Sequence, residues 1–379
     1  MSLSTREKDR RHEALRKWMK ENGTDLLMVF GDTGDWGLRY GHLRYLTNGK
    51  VIFGNAVLIF PLEQEPVLLM SSALQANWTG KLSWISDTRP STDFISDTIR
   101  ILKSTGLKDI TLGVANPGSL PLSWHQALIR ENPSIHMTDT GPAIARMRSI
   151  KGEEEIALLQ RSARLADRGF DQIIQEAGSG MTEFEILALL EKAMREEGGD
   201  DFFDLIFSGP FGPGINMMPF SPSGRIEAGR EIRKGDSLLF EITPRYGGYW
   251  TQLVRIVNVG KENALLAHHH RVIRDSIEAA LRFFEPGRKV SEAVNEAKKV
   301  AESAGYEFRF PTGHYCGLDV VESRIGAENH EILQPGMVMI FHPCVGIGGS
   351  QVFSGETYVI TPQGYQCLHQ APTELLTIS

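Results

Sequence analysis

The stretch Gly235-Asp236-Ser237-Leu238-Leu239-Phe240-Glu241-Ile242-Thr243-Pro244-Arg245-Tyr246-Gly247-Gly248-Tyr249-Trp250-Thr251-Gln252 reads as the core of a hairpin. The apolar run Ser237 to Thr243 and the run Tyr249 to Val259 both have strand composition, with turn residues between them.

Long helical segments flank this hairpin. One begins at Glu153, and a second opens at Thr182, where Glu185 completes a capping box. A third runs from about Glu262 to Phe284, and a fourth from Ser291 to about Ser303. Strand candidates lie at Leu205–Ser208, Met337–Phe341 and Thr357–Thr361. Helices paired around antiparallel strands predict an α+β domain over residues 149–379. Residues 1–148 predict a smaller α/β domain. Its charged helix Arg6 to Glu21 ends at Asn22-Gly23, and strands follow at Leu26–Phe30, Val51–Phe60, Val67–Met70 and Ile110–Val114. The glycine-rich segment Gly31 to Gly37 lacks the spacing and the lysine of a phosphate loop and reads as an ordinary loop.

The chain has 379 residues, a formal charge of −7 and 41% hydrophobic residues, enough for two cores. That charge argues against a general nucleic-acid partner, and no apolar run reaches the length of a membrane span. Three cysteines, Cys316, Cys344 and Cys367, without a CxxC pair predict reduced thiols in the cytoplasm.

Five stretches carry a resemblance. They are Arg148-Ser149-Ile150-Lys151 with Glu153 to Ile156; Ser208-Gly209-Pro210 through Asn216 and Pro219; the hairpin; Gly313-His314 with Gly317-Leu318-Asp319 and Glu322; and Leu333 to Val338 followed by Pro343. Together they resemble the creatinase/aminopeptidase P/prolidase superfamily, whose second domain has the pita-bread fold. The first domain is compatible with the superfamily's smaller N-terminal domain, best at Tyr45-Leu46-Thr47.

The resemblance implies a five-ligand dinuclear metal site of Asp, Asp, His, Glu and Glu. This sequence has Glu241, Gln252, His314, His342 and Gly355 in those slots. One bridging carboxylate at most cannot screen two adjacent cations, so no dinuclear centre is expected. Glu356, beside Gly355, should face the other way on a strand. Two substrate-positioning histidines of the superfamily are replaced by Phe220 and Val321.

The expectation is a metal-independent, creatinase-like enzyme without a cofactor, acting by acid–base hydrolysis or elimination at a C–N or related bond of a small organic molecule. His314 and His342 would move protons, with Glu241 and Glu322 orienting them and favouring their protonated forms. Arg255, Gln252 and Tyr249 would hold polar parts of the substrate, while Phe220, Asn216, Val321 and Cys316 would line the pocket. In this superfamily the small domain can reach the active site of a dimer partner, which makes Arg39, His42 and Arg44 further ligand candidates in a homodimer. His268-His269-His270 point in successive directions and read as surface or interface residues. Two alternatives remain on the same scaffold. One is a mononuclear metal-dependent hydrolase or lyase using Glu241, His314 and His342; the other is a non-catalytic small-molecule-binding or interaction protein.

Overall fold

The computed structural model describes residues 3–32, 41–217 and 229–379. The chain divides into two compact units, Met1–Ser149 and Ile150–Ser379. Among the described residues no helix is long and apolar enough to cross a membrane.

The first unit is an α/β layer structure. Its sheet runs in the order Asp87–Pro90, Val67–Met70, Asn55–Pro61, Leu26–Asp32, Ile110–Ala115, Ile135–Asp139. Leu26–Asp32 is central, antiparallel to Asn55–Pro61 and parallel to Ile110–Ala115. Central strands are covered on both faces, which explains its continuous apolar run. Helices Ala73–Gly80 and Phe94–Ser104, neither evident from the sequence reading, pack against this sheet unit. The N-terminal helix Thr5–Glu21 is capped by Ser4 and buries Arg11 completely. That charge is tolerated because Arg11 Nε donates to Glu7 at 2.7 Å and Nη1 donates to the Tyr45 carbonyl at 2.9 Å.

The second unit contains a four-stranded sheet, Leu376–Ile378, Leu253–Val259, Ser237–Ile242, Leu205–Gly209. It also contains a five-stranded one, Ser323–Arg324, Gly313–Tyr315, Val338–Phe341, Glu356–Thr361, Gly364–Cys367. A backbone bridge between Val254 and Gly355 joins them. Helices Glu153–Glu176 and Glu183–Glu196 form one pair; Thr182 and Glu185 cap the second reciprocally, as its sequence requires. Ala264–Leu281 and Val290–Ser303 form the other pair.

Strand alternation divides the core between these pairs. Leu238, Phe240 and Ile242 pack in a cluster with Phe170, Ile186 and Leu190 of the first pair. Leu239, Val254 and Ile256 pack instead with Ile273, Ile277 and Val294 of the second. Successive strand residues point to opposite faces, so Glu241 shares the face of Leu239. The same alternation puts Gln252 on the face of Val254. Residues that would be apolar in a plain sheet are here polar and on one side.

The three consecutive histidines are not surface groups throughout. His269 and His270 are buried, and His269 Nδ1 lies 2.8 Å from the Leu265 carbonyl. Their helix turns two of the three rings inward.

Candidate active site

Glu241 and Gln252 meet across the hairpin. Gln252 Nε2 donates to Glu241 Oε1 at 2.6 Å and to Thr243 Oγ1 at 3.1 Å. The Gln252 backbone is held by Thr357, whose hydroxyl accepts from the Gln252 amide and donates to its carbonyl, both at 3.0 Å. Thr357 pairs with Ile340, and Ile340 with His314. One lateral row of strand contacts thus connects the hairpin to the histidine strand.

His314 and His342 lie edge to face with ring centroids 5.3 Å apart. Gly313 lets that approach happen. A Cβ at this position would stand 2.3 Å from the Ile340 carbonyl oxygen. Both rings are buried, and burial pushes the pKa of His314 down to about 4 and that of His342 to about 3. Carbonyls of Tyr315 and Val320 oppose the shift at His314, and the neighbouring His314 reinforces it at His342. The expectation of protonated histidines is therefore overturned: desolvation exceeds the attraction their surroundings supply. Both are neutral near pH 7.

The carboxyl behaves in the opposite sense. Burial raises Glu241 to about 7, against the hydrogen bond from Gln252. A second acid, which the sequence reading missed, lies beside it. Asp204 Oδ1 accepts from the Thr243 amide at 2.8 Å. Burial of this carboxyl lifts it to about 7, opposed by the Thr243 bond and assisted by Glu191 and Glu241. Asp204 as a residue is only half-buried, but its Oδ2 is sealed from solvent. Four buried atoms here have no hydrogen-bond partner: Glu241 Oε2, Gln252 Oε1, His342 Nδ1 and Asp204 Oδ2. Buried polar atoms are rarely left so.

Several expected ligand-binding residues serve the framework instead. Arg255 is fully buried. Its Nε donates to Pro372 O, Nη1 to Val254 O and Gly355 O, and Nη2 to Ala371 O while lying 2.5 Å from Glu356 Oε2. All five guanidinium N–H groups are committed, leaving none for a substrate. Tyr249 donates to Glu155 Oε1 at 2.9 Å, the same carboxylate that caps the helix Glu153–Glu176. Glu322 accepts from Lys151 Nζ at 2.7 Å, so its charge is matched by an ammonium.

Cys316 is buried, with its thiol pushed up to about 12 by burial, and is not a thiolate at neutral pH. Asn216 bridges to Gln351 through its backbone and is half-buried, as is Val321. His42 and Arg44 sit in the helix Gly41–Thr47, not in a solvated loop. Arg148 Nη1 donates to His42 Nδ1 at 2.9 Å. Arg39 and Phe220 lie outside the described residues.

The slot assigned to the fifth ligand is filled by backbone. A Cβ on Gly355 would lie 2.0 Å from the Phe341 carbonyl oxygen and 2.5 Å from His342 Cα. Glu356 turns away, as strand alternation requires, to Arg255, Arg274 and the Tyr358 hydroxyl. Those contacts outweigh its burial and hold its carboxyl down at about 2.

The family description "Metallopeptidase family M24" matches residues 157–362, and "Creatinase/Prolidase N-terminal domain" matches residues 11–150. The chain belongs to metallopeptidase family M24. Curated relatives include the uncharacterized peptidase YqhT of Bacillus subtilis, 28% identical over 62% of this chain and 66% of that protein, just under two thirds of its length. An Xaa-Pro dipeptidase of Pyrococcus horikoshii is 25% identical over 70% of this chain and 75% of its own. Among solved structures, the X-Pro aminopeptidase of Thermotoga maritima superposes with a TM-score of 0.83 at 21% identity, over 97% of this chain and 99% of that one. That likeness confirms the pita-bread fold of the second domain and the α/β fold of the first.

The metal implied by the family name does not suit the donors of this M24 chain. Gln252 offers N–H groups toward the one remaining carboxyl, and Gly355 offers no side chain. Among the described residues no three His, Cys, Asp or Glu side chains stand where they could hold an ion together. The trio Glu241, His314 and His342 is included in that statement.

Proposed function

We propose that this M24 chain is a metal-independent, creatinase-like enzyme that cleaves a C–N or related bond of a small organic molecule, with Glu241 as its proton carrier. The observation carrying this reading is the Glu241–Gln252 pair, a buried carboxyl with one oxygen held by an amide and the other unpartnered. A carboxyl poised near neutrality suits general acid–base work, as the shifted acids of other active sites do. Water would add to the carbon as the Glu241 carboxylate takes its proton, and the same carboxyl would then pass that proton to the departing nitrogen as the C–N bond breaks. The neutral imidazole of His342 could accept a hydrogen bond from that water or from the substrate, and Gln252 Oε1 could accept one from a substrate N–H. A cytoplasmic homodimer is part of the same reading, checked by light scattering and cell fractionation.

The test is turnover by metal-stripped protein on creatine, N-carbamoyl amino acids and Xaa-Pro dipeptides, with Glu241→Gln in parallel. A C–N substrate turned over without added metal, and slowed about 10²–10⁴-fold by the substitution, supports the proposal. Turnover only after metal is restored sinks it. Binding without turnover across the set would point to the non-catalytic alternative.

A further inference from the structure

A cavity of about 270 Å³ lies between the helix Glu153–Glu176 and the short strand Pro244–Tyr246, apart from the Glu241–Gln252 pair. Leu165 and Tyr246 give it an apolar floor and wall. Arg161 is fixed at one side, its guanidinium 5.3 Å from the Tyr246 ring centroid and Nη2 donating to the Tyr246 hydroxyl at 3.5 Å. Asp167 also lines the space, but its carboxylate is occupied by His369 Nδ1 and the amides of Gln370 and Ala371.

Four other charges line the same cavity. Arg164 and Arg168 supply two guanidiniums, and Asp171 and Glu197 supply two carboxylates. Among the described residues none of the four forms an ion pair or hydrogen bond with another of them or with any other side chain. Opposite charges held apart across a small space can be bridged by a molecule carrying both signs. A free guanidinium fork suits a carboxylate, a free carboxylate suits an ammonium, and an apolar wall between them suits a short side chain.

We infer that this cavity is a second binding site, for a small zwitterion of the free amino-acid class. Arg164 and Arg168 take the α-carboxylate, Asp171 and Glu197 take the α-ammonium, and Leu165 with Tyr246 covers the side chain. The inference is independent of the proposed chemistry at Glu241.

Calorimetric titration of the full chain with L-leucine tests it, with isocaproate and isoamylamine as probes that each lack one charge. Leucine should bind more tightly than either. The double substitution Arg164→Gln/Arg168→Gln and the single Asp171→Asn should each weaken leucine about tenfold or more, since each removes a charge-assisted contact. All three positions are at least partly exposed, and circular dichroism verifies that the variants fold. Absence of leucine binding, or binding unchanged in both variants, overturns the inference. Isocaproate binding as tightly as leucine overturns the zwitterion assignment and leaves a simple anion site.

Discussion

Glu241 and Glu356 are both buried in the second unit, on strands whose neighbours Val254 and Gly355 are bridged, yet their carboxyls behave in opposite ways. Glu356 faces two arginines and a tyrosine hydroxyl and is held at about 2. Glu241 faces one amide and rises to about 7. Similar burial yields a permanent anion in one place and a titrating acid in the other. What separates them is whether positive charge was placed within reach. The first belongs to the framework; the second is the carboxyl to which the proposed chemistry is assigned.

The sharpest way to break this contrast is to remove the framework charge. Glu356→Gln leaves Arg255 and Arg274 short of a counterion and should cost roughly 3–5 kcal/mol in denaturant unfolding. A loss near zero would mean that the arginines find other partners. The contribution of Glu356 is present above the ordinary carboxyl range and fades as pH falls through about 2.

Next is Gly355→Ala. Its Cβ would overlap the Phe341 carbonyl, so the two sheets must part locally, at roughly 1–3 kcal/mol or more by thermal or urea unfolding. Unchanged stability would show that this junction is looser than its geometry indicates.

Glu241→Gln should act in the reverse direction. A folded-state pKa raised from 4.5 to about 7 favours the protonated form, so its contribution is full below the ordinary carboxyl range and lost as pH rises through about 7. The neutral variant should therefore be more stable than the parent at alkaline pH, by on the order of 1–3 kcal/mol, and differ little in acid. Destabilisation at alkaline pH would place a positive charge near Glu241 that the described residues do not supply.

The histidines titrate on the acid side. Their depressed pKa values give stability that is present above the ordinary histidine range and lost as pH falls toward about 4 for His314 and about 3 for His342. His342→Gln should flatten that acid limb of a pH–stability curve. An unchanged limb would mean that His342 is protonated well above its assigned range.

Much of the scaffold was legible because it rests on local signals. Thr182 and Glu185 announce their helix, and Gly235-Asp236 through Gln252 announces the hairpin. The turning away of Glu356 follows from strand alternation alone. Charge partnerships were not legible in the same way. Arg255 meets Glu356 and carbonyls 100 residues or more away, and no spacing along the chain reveals that its donors are all spent. Asp204 sits among Asp200, Asp201 and Phe203 without a motif, and only the fold places its Oδ1 on the Thr243 amide. The protonation of His314 and His342 depends on how much water packing excludes, which residue identity does not state.

Gly355 also bears on how this chain could be re-engineered. Where only a side chain is lacking, one substitution can supply it. Here the Phe341 carbonyl and His342 Cα already occupy the volume a side chain would need. A glutamate at that position would collide with main chain before it reached any ion. A two-metal centre here would demand reshaping of the backbone along with several simultaneous replacements, so no single substitution could build one.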